Sequence, residues 1–266
     1  MNKKILVIIL IMMLLVTACS QGKTSIMDKD TLRVGMELKY PPFEGKDEEG
    51  NPEGVSVELA KGLGDYLGKD IKIVDTPYPS LIPSLMSGEI DIIISSMTIT
   101  PARAKKVDFS DPYTNSQLMM LVHKDSKVHS YKDLNDPDVT IVSKTGTIGA
   151  LWAKENAPKA NIKNVNEEST AVLEVSQGKG DVFIYDPLSI IRHHKNYPDN
   201  TRTILEPLPN TKGWGIAMKK DQPEFKKKVN EYIEKAKNDG TYERLRKKYL
   251  EEKIKEFEKY DIDFFF

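Results

Sequence analysis

Two stretches of the sequence, LIPSLMSGEIDIIISS at 81–96 and TAVLEVSQGKGDVFIYD at 170–186, share one pattern. Each runs from helical spacing into a glycine, Gly88 or Gly178, reaches an aspartate three residues later and continues as an apolar strand. A repeated helix-to-strand unit predicts two similar α/β halves. Because ligands of open α/β sheets gather at the carboxyl ends of strands, we expect binding groups directly after both apolar runs.

The neighbouring sequence extends the alternation of strands and helices. TLRVGM at 31–36 and IKIV at 71–74 have strand patterns, and the segment at 56–68 between them has helical spacing. Ser56 is its predicted N-cap and Gly68 its predicted C-cap. The pattern predicts the α/β class for the whole folded part.

Composition narrows the classes of function. The chain has 266 residues, enough for two lobes, and its 39 basic residues nearly balance its 40 acidic ones, which argues against a nucleic-acid partner. The adjacent His193 and His194 point in different directions on a helix and cannot share a metal ion. No phosphate loop, dinucleotide glycine motif or nucleophile elbow occurs. We therefore expect no cofactor and no metal, and binding rather than chemistry.

The amino terminus resembles a bacterial lipoprotein signal. A positive MNKK, a short apolar run and the small residues of VTACS precede Cys19, the single cysteine. The resemblance predicts a signal peptide at 1–18, lipidation of Cys19, a polar tether at 19–27 and an extracytoplasmic chain anchored to the cell membrane. A buried signal-anchor helix is the alternative.

Five motifs then occur in one order along the chain. They are YPPFE at 40–44, the stretch from Leu81 to Tyr113, SKTGTIGA at 143–150, GDVFIYD at 180–186 and NDGTYERLRKKY at 238–249. Across residues 31 to 250 the sequence resembles the family 3 extracytoplasmic solute-binding proteins, the polar amino-acid receptors of ABC importers.

The resemblance implies a type II periplasmic-binding-protein-like fold, in which two lobes, each a mixed sheet flanked by helices, are joined by a two-strand hinge. The first lobe would comprise 28–114 and 211–250, the second 115–210, and 251–266 would form a C-terminal extension without a family function. It also implies a monomer that closes on a free amino acid and delivers it to a membrane permease.

In the first half of the chain we expect a group that binds the ligand carboxylate. A buried carboxylate needs a dedicated partner. In TITPAR, Thr100 is a predicted cap for a helix that Pro101 begins, which places Arg103 in its first turn. A guanidinium can bind a carboxylate bidentately, and the resemblance assigns this role to Arg103, with Thr98 as a further partner. An exposed helix arginine is the alternative.

The ends of the two apolar runs supply further groups. Ser95 and Ser96 follow the first run, and Tyr185 and Asp186 end the second. Asp186 is the expected partner of the ligand ammonium, with the Ser96 carbonyl as a second acceptor. A plain helix N-cap is the alternative for Asp186.

A strand, glycine turn and helix surround Thr147 and Ile148. Their backbone N–H groups would face the cleft at the positive end of a helix dipole and suit the same carboxylate.

The side-chain pocket follows from the resemblance alone. Tyr40 and Tyr78 lie where family members have two aromatic walls, with core packing as the alternative. Glu37 lies where glutamine-type and basic-amino-acid members have an acid, and Lys144 matches a lysine of some glutamine-type members, although a surface lysine is the alternative. We expect glutamine, arginine, lysine or histidine as ligand and acidic amino acids as poor ligands.

Two other functions fit the same resemblance. A cyclohexadienyl dehydratase would use a cleft carboxyl, Glu37, as general acid, although the ammonium partner Asp186 argues against it. A ligand-sensing module that acts on a partner protein is the third hypothesis.

Overall fold

Two five-stranded sheets organise the chain, of which the computed structural model describes residues 25–209 and 212–266. The strands of these residues are β1 (Thr31–Met36), β2 (Gly45–Lys46), β3 (Pro52–Glu53), β4 (Asp70–Asp75), β5 (Ile92–Ile93), β6 (Asp108–Phe109), β7 (Met119–His123), β8 (Thr140–Lys144), β9 (Asn161–Val165), β10 (Val182–Tyr185), β11 (Thr201–Ile204) and β12 (Ala217–Met218).

Helices cover both sheets. The α-helices of the described residues are α1 (Val55–Leu67), α2 (Leu81–Ser87), α3 (Pro101–Ala104), α4 (Ile148–Asn156), α5 (Glu168–Ser176), α6 (Pro187–Asn196), α7 (Pro223–Asn238), α8 (Thr241–Leu245) and α9 (Glu251–Glu258). Short 3₁₀ turns lie at Ile26–Asp28, Tyr78–Ser80 and Tyr131–Leu134, and a π-helical turn, Arg246–Leu250, joins α8 to α9.

Each sheet is mixed. In the first lobe the strand order is β4-β1-β5-β12-β6, with β1 parallel to β4 and β5 and with β12 antiparallel to its neighbours. In the second lobe the order is β11-β7-β10-β8-β9, where β7 runs antiparallel to β10 and β11. The chain enters the second lobe between β6 and β7 and returns between β11 and β12. The predicted α/β class with helix-flanked mixed sheets is confirmed.

The aspartate of the repeated sequence motif makes the same pair of hydrogen bonds in both lobes. The Asp91 carboxylate accepts the backbone N–H of Arg33 at 2.9 Å, and the N–H of Asp91 donates to the Arg33 carbonyl at 2.8 Å. Asp181 and Thr140 exchange the same two bonds at 2.8 and 2.9 Å. Each aspartate therefore fixes the start of its strand against the neighbouring parallel strand, and the glycine before it has a left-handed backbone.

The first of these aspartates also carries ion pairs. Burial opposes its ionisation, but hydrogen bonds from Arg33 and Lys29 outweigh burial and hold the pKa of Asp91 at about 2. This aspartate therefore ties β1 and β5 to the segment before β1.

The hydrophobic core reaches across the two lobes. Its main part, here called the large cluster, is built from β1, α1, α7 and α9 of the first lobe. It also contains Leu188 and Ile191 of α6, which belong to the second lobe, and Phe265 and Phe266 at the carboxyl end. Apolar side chains of both lobes and of the carboxyl end therefore belong to one continuous cluster.

One cap prediction is confirmed and one is wrong. Gly68 ends α1 in the left-handed conformation, with φ of 65°. Ser56 does not cap α1, because the helix begins at Val55 after Gly54, and its hydroxyl instead donates to Glu44. The predicted signal peptide, Cys19 and most of the tether lie outside the described residues. Within residues 25–209 and 212–266, every helix is too short or too polar to cross a membrane.

Candidate functional site

A cavity opens between the lobes where β5 and β10 end, as expected for an α/β sheet. Ten of the twelve predicted ligand-binding residues line it. These are Glu37, Tyr40, Tyr78, Ser95, Ser96, Thr98, Thr147, Ile148, Tyr185 and Asp186. The fold thus brings together residues that are up to about 150 positions apart in the chain.

Arg103 is placed by the local structure that its sequence predicts. Pro101 begins α3, and the Thr100 hydroxyl accepts the backbone N–H of Arg103 at 3.1 Å. The arginine is only 6% exposed, so the alternative of an exposed helix arginine is wrong.

The Arg103 guanidinium lies directly behind the cavity wall and connects the lobes. Its Nη1 donates to the Thr98 carbonyl at 2.6 Å, and its Nη2 donates to the Tyr78 hydroxyl at 3.2 Å and to the Gly146 carbonyl of the second lobe at 2.9 Å. These bonds use three of five N–H donors. Arg103 is thus rigidly oriented, and two N–H groups are not bonded to described residues.

Asp186 is the N-cap of α6, as one of its two predicted alternatives has it, and it also lies at the cavity. Its carboxylate accepts the backbone N–H of Ser189 at 3.1 Å and caps α6, while the same buried side chain lines the cavity. Burial raises the pKa of Asp186, and the negative charge of Glu168 acts in the same direction. A cationic group in the cavity would relieve this cost.

The two serines that follow β5 are fixed by hydrogen bonds to neighbouring residues of the first lobe. The Ser95 hydroxyl accepts the backbone N–H of Glu37 at 3.0 Å. Ser96 has a left-handed backbone with φ of 46°, which is strained for a residue with a side chain. Its hydroxyl donates to Glu44 at 3.0 Å, and its N–H donates to the Tyr113 hydroxyl at 3.2 Å. These bonds stabilise the conformation that turns Ser96 toward the cavity.

Glu37 and Lys144 form a buried ion pair between the lobes. Lys144 Nζ contacts Glu37 Oε2, and the other carboxylate oxygen accepts the backbone N–H of Tyr78 at 3.1 Å. Lys144 is 3% exposed, so a surface lysine is the wrong interpretation. It does not line the cavity either, which corrects its prediction as a cavity residue, because its ammonium is directed to Glu37. The pair therefore carries no net charge.

The two tyrosines have different surroundings. Tyr40 stacks on Phe43 with ring centroids 5.7 Å apart and meets Trp214 edge-on at 6.0 Å. The ring of Tyr78 lies 5.7 Å from the Arg103 guanidinium carbon and 5.9 Å from Lys144 Nζ. Tyr40 is thus a wall backed by other aromatic rings, and Tyr78 is a wall backed by cations.

The turn before α4 corrects one prediction. The backbone N–H of Thr147 donates to the Lys144 carbonyl at 3.2 Å, and its hydroxyl donates to the same oxygen at 2.7 Å. The N–H of Thr147 is therefore used inside the turn and does not serve a ligand. Helix α4 begins at Ile148, which lines the cavity.

Sequence reasoning missed six cavity residues: Glu44, Ser116, Gln117, Leu118, Lys212 and Trp214. Glu44 belongs to the YPPFE motif, and the other five lie within the two chain crossings, so the motif and the predicted hinge segments are the signals that point to them. Glu44 is 2% exposed and accepts the hydroxyls of Ser56 at 2.7 Å and Ser96 at 3.0 Å. Burial raises the pKa of Glu44 to about 8, which leaves it mostly protonated at neutral pH.

Comparisons with known proteins agree with this geometry. Residues 32–252 match the model of the bacterial extracellular solute-binding proteins, family 3. The arginine-binding extracellular protein ArtP of Bacillus subtilis (strain 168) is 34% identical over 88% of this chain and 92% of its own length. The ABC transporter glutamine-binding protein GlnH of the same strain is 30% identical over 86% of this chain and 84% of its own.

A solved structure supports the same assignment. The ancestral amino acid-binding protein AncCDT-1, a precursor of cyclohexadienyl dehydratase, aligns with a TM-score of 0.74 at 37% identity over 84% of this chain and 96% of that one. Homologues of the chain are thus amino-acid-binding proteins, including ones of ABC transporters. Both the family model and the identity of these relatives place the chain in family 3 of the bacterial extracellular solute-binding proteins.

Proposed function

We propose that this protein captures a free polar L-amino acid between its two lobes and delivers it to an ABC transporter permease. Arg103 would bind the ligand carboxylate and Asp186 the ammonium, since Asp186 is a buried acid that lines the cavity from the second lobe and Arg103 is a buried guanidinium of the first lobe that bonds to the wall residues Thr98 and Tyr78. Segments 28–114 with 211–250 and 115–210 would move as rigid lobes about the two crossings, and closure would complete the site.

The observation that carries the choice of ligand is the buried ion pair between Glu37 and Lys144. If Glu37 were unpaired, it would attract a cationic side chain. Because Lys144 neutralises it, a neutral group that both donates and accepts hydrogen bonds fits better. We therefore propose a glutamine-type amide as the preferred ligand, with the basic amino acids next and the acidic ones last.

Replacing Lys144 by glutamine should shift this preference. Lys144→Gln leaves the Glu37 charge unpaired in the cleft, so arginine should gain on glutamine by about tenfold or more, a relative change of about 1.4 kcal/mol. The measurement is a calorimetric competition series with glutamine, arginine, lysine, histidine, glutamate and alanine.

The matched control is Lys39→Gln. Lys39 also pairs across the lobes, with Glu167, but both side chains are at least half exposed. Its removal should leave the ranking unchanged because an exposed pair is screened by solvent. Tight binding of glutamate or alanine above all others, or an unchanged ranking in Lys144→Gln, contradicts the proposed pocket.

We also propose the lipid-anchored form, with cleavage before Cys19 and lipidation of its thiol. Replacing Cys19 by serine should release the protein from the membrane fraction of cells that process lipoproteins. A Cys19→Ser chain that still sediments with membranes would show that the apolar segment itself is the anchor.

A dehydratase activity is the second candidate, because Glu44 is a buried carboxyl that is mostly protonated at neutral pH and lines the cavity. Glu37, the predicted general acid, has both oxygens occupied as acceptors. Prephenate added to the same competition series separates the two functions. Turnover of prephenate that is lost in Glu44→Gln would establish the enzyme, whereas binding of amino acids without turnover supports the receptor.

A further inference from the structure

The C-terminal extension, residues 251–266, contacts both lobes and the chain crossing between them. It consists of α9 and the segment that follows it to Phe266, and we call it the C-terminal strap. The amino-acid site described above uses none of its residues. Strap residues nevertheless contact residues that line or support that site.

The end of the strap packs against the first lobe. Phe265 stacks on Phe43 with ring centroids 5.7 Å apart and meets Trp214 edge-on at 5.4 Å. Phe266 stacks on Tyr242 at 4.5 Å with nearly parallel planes. Both phenylalanines are buried in the large cluster, so the strap end is firmly held.

These contacts extend to the wall of the cavity. Tyr40 also stacks on Phe43, with an angle of 10° between the two rings, and Phe43 makes an angle of 20° with Phe265. Tyr40 and Trp214 line the cavity. Phe265 contacts Trp214 directly and is connected to Tyr40 through Phe43. The position of this wall therefore depends on the strap.

The strap is also bonded to the crossing itself. The backbone N–H of Asn115, in the segment between β6 and β7, donates to the Phe265 carbonyl at 3.1 Å. A rotation of the lobes changes backbone angles in this crossing. The bond therefore links hinge geometry to the strap.

Two contacts join the strap to the second lobe. Lys195 at the end of α6 forms an ion pair with Glu256 of α9. Ile262 packs against both the large cluster and a second-lobe cluster. The second-lobe cluster consists of Met119, Leu121, Val142, Ala171, Val172, Val175, Phe183 and Ile190. One short segment is thus fixed to the first lobe and rests on the second.

We propose that the C-terminal strap stabilises the closed arrangement of the lobes, with Ile262 and Phe265 as positioning residues. Opening would move the second lobe away from a segment that is held on the first, so the contacts of Ile262 and Lys195 would be lost. Contacts present only in the closed form shift the population toward it and raise ligand affinity by the same factor. The affinity part rests on the proposed amino-acid function, whereas the conformational part does not.

The test compares two isoleucines of the strap. Ile262→Ala removes a contact with the second-lobe cluster, whereas Ile254→Ala removes an equal, also half-buried, side chain that packs only on the large cluster. Spin labels at Ala102 of the first lobe and Glu155 of the second, exposed residues that line one further pocket between the lobes, report lobe separation in the full chain carrying Cys19→Ser.

Ile262→Ala should increase the fraction of widely separated labels in the absence of ligand, and Ile254→Ala should not. Affinity for glutamine or arginine should fall about tenfold in Ile262→Ala only. If Ile262→Ala does not fold, Lys195→Gln gives the same comparison, because it removes the ion pair between α6 and α9. Its control is Lys255→Gln, which removes an ion pair inside α9. If the label distances are equal in each variant and its control, the proposed role of the strap is wrong. If the distances shift but neither the native protein nor any variant binds an amino acid, the role of the strap in lobe closure is supported and the proposed ligand class is wrong.

Discussion

Arg103→Lys is expected to weaken ligand binding by about a hundredfold or more, close to 2.7 kcal/mol, while the fold is retained. The guanidinium bonds to Thr98, Tyr78 and Gly146 and still has N–H groups to present to a carboxylate. An ammonium has three donors and no planar fork, so lysine cannot keep these bonds and also grip the ligand. Isothermal calorimetry with the preferred amino acid measures the loss.

A second arginine that binds a carboxylate provides the control. Arg33 binds Asp91 and neither residue lines the cavity, so Arg33→Lys should lower the melting temperature and leave affinity unchanged. The opposite result, near-normal affinity in Arg103→Lys, would show that another group binds the carboxylate.

Asp186→Asn is expected to reduce affinity by a similar factor, about a hundredfold, because a buried charge pair with the ligand ammonium is lost. Asparagine is as good an N-cap as aspartate, so α6 and the fold should persist. Asp181→Asn is the matched control, since that aspartate fixes β10 but does not line the cavity.

The same residue predicts how binding depends on pH. Burial raises the pKa of Asp186, so it becomes protonated, and loses its attraction for an ammonium, at a higher pH than an ordinary aspartate. Affinity of the native protein should therefore fall as the pH is lowered, beginning above the usual aspartate range. Asp186→Asn should remove this part of the slope. A native affinity that is constant from neutral pH through that range contradicts the assignment.

Local patterns were sufficient for the α/β class and for part of the site. The repeated glycine and aspartate before each apolar run predicted two similar halves, and both aspartates hold their strands in the same way. TITPAR predicted the capped turn that carries Arg103. These features depend on hydrogen bonds and side-chain spacing within a few residues, which the sequence displays directly.

Tertiary structure alone decided what the charges of the site do. Glu37 and Lys144 are 107 positions apart, and neither local sequence shows that one neutralises the other. Ser56 looked like a cap by position but bonds to Glu44, and the strap reaches Phe43 and Asn115 only because the two lobes and the hinge meet there. Sequence determines which groups can bind, cap or ionise. Whether a buried charge is free or paired depends on which distant segment the fold places beside it, because the free energy of that charge is set by its neighbours and its access to water.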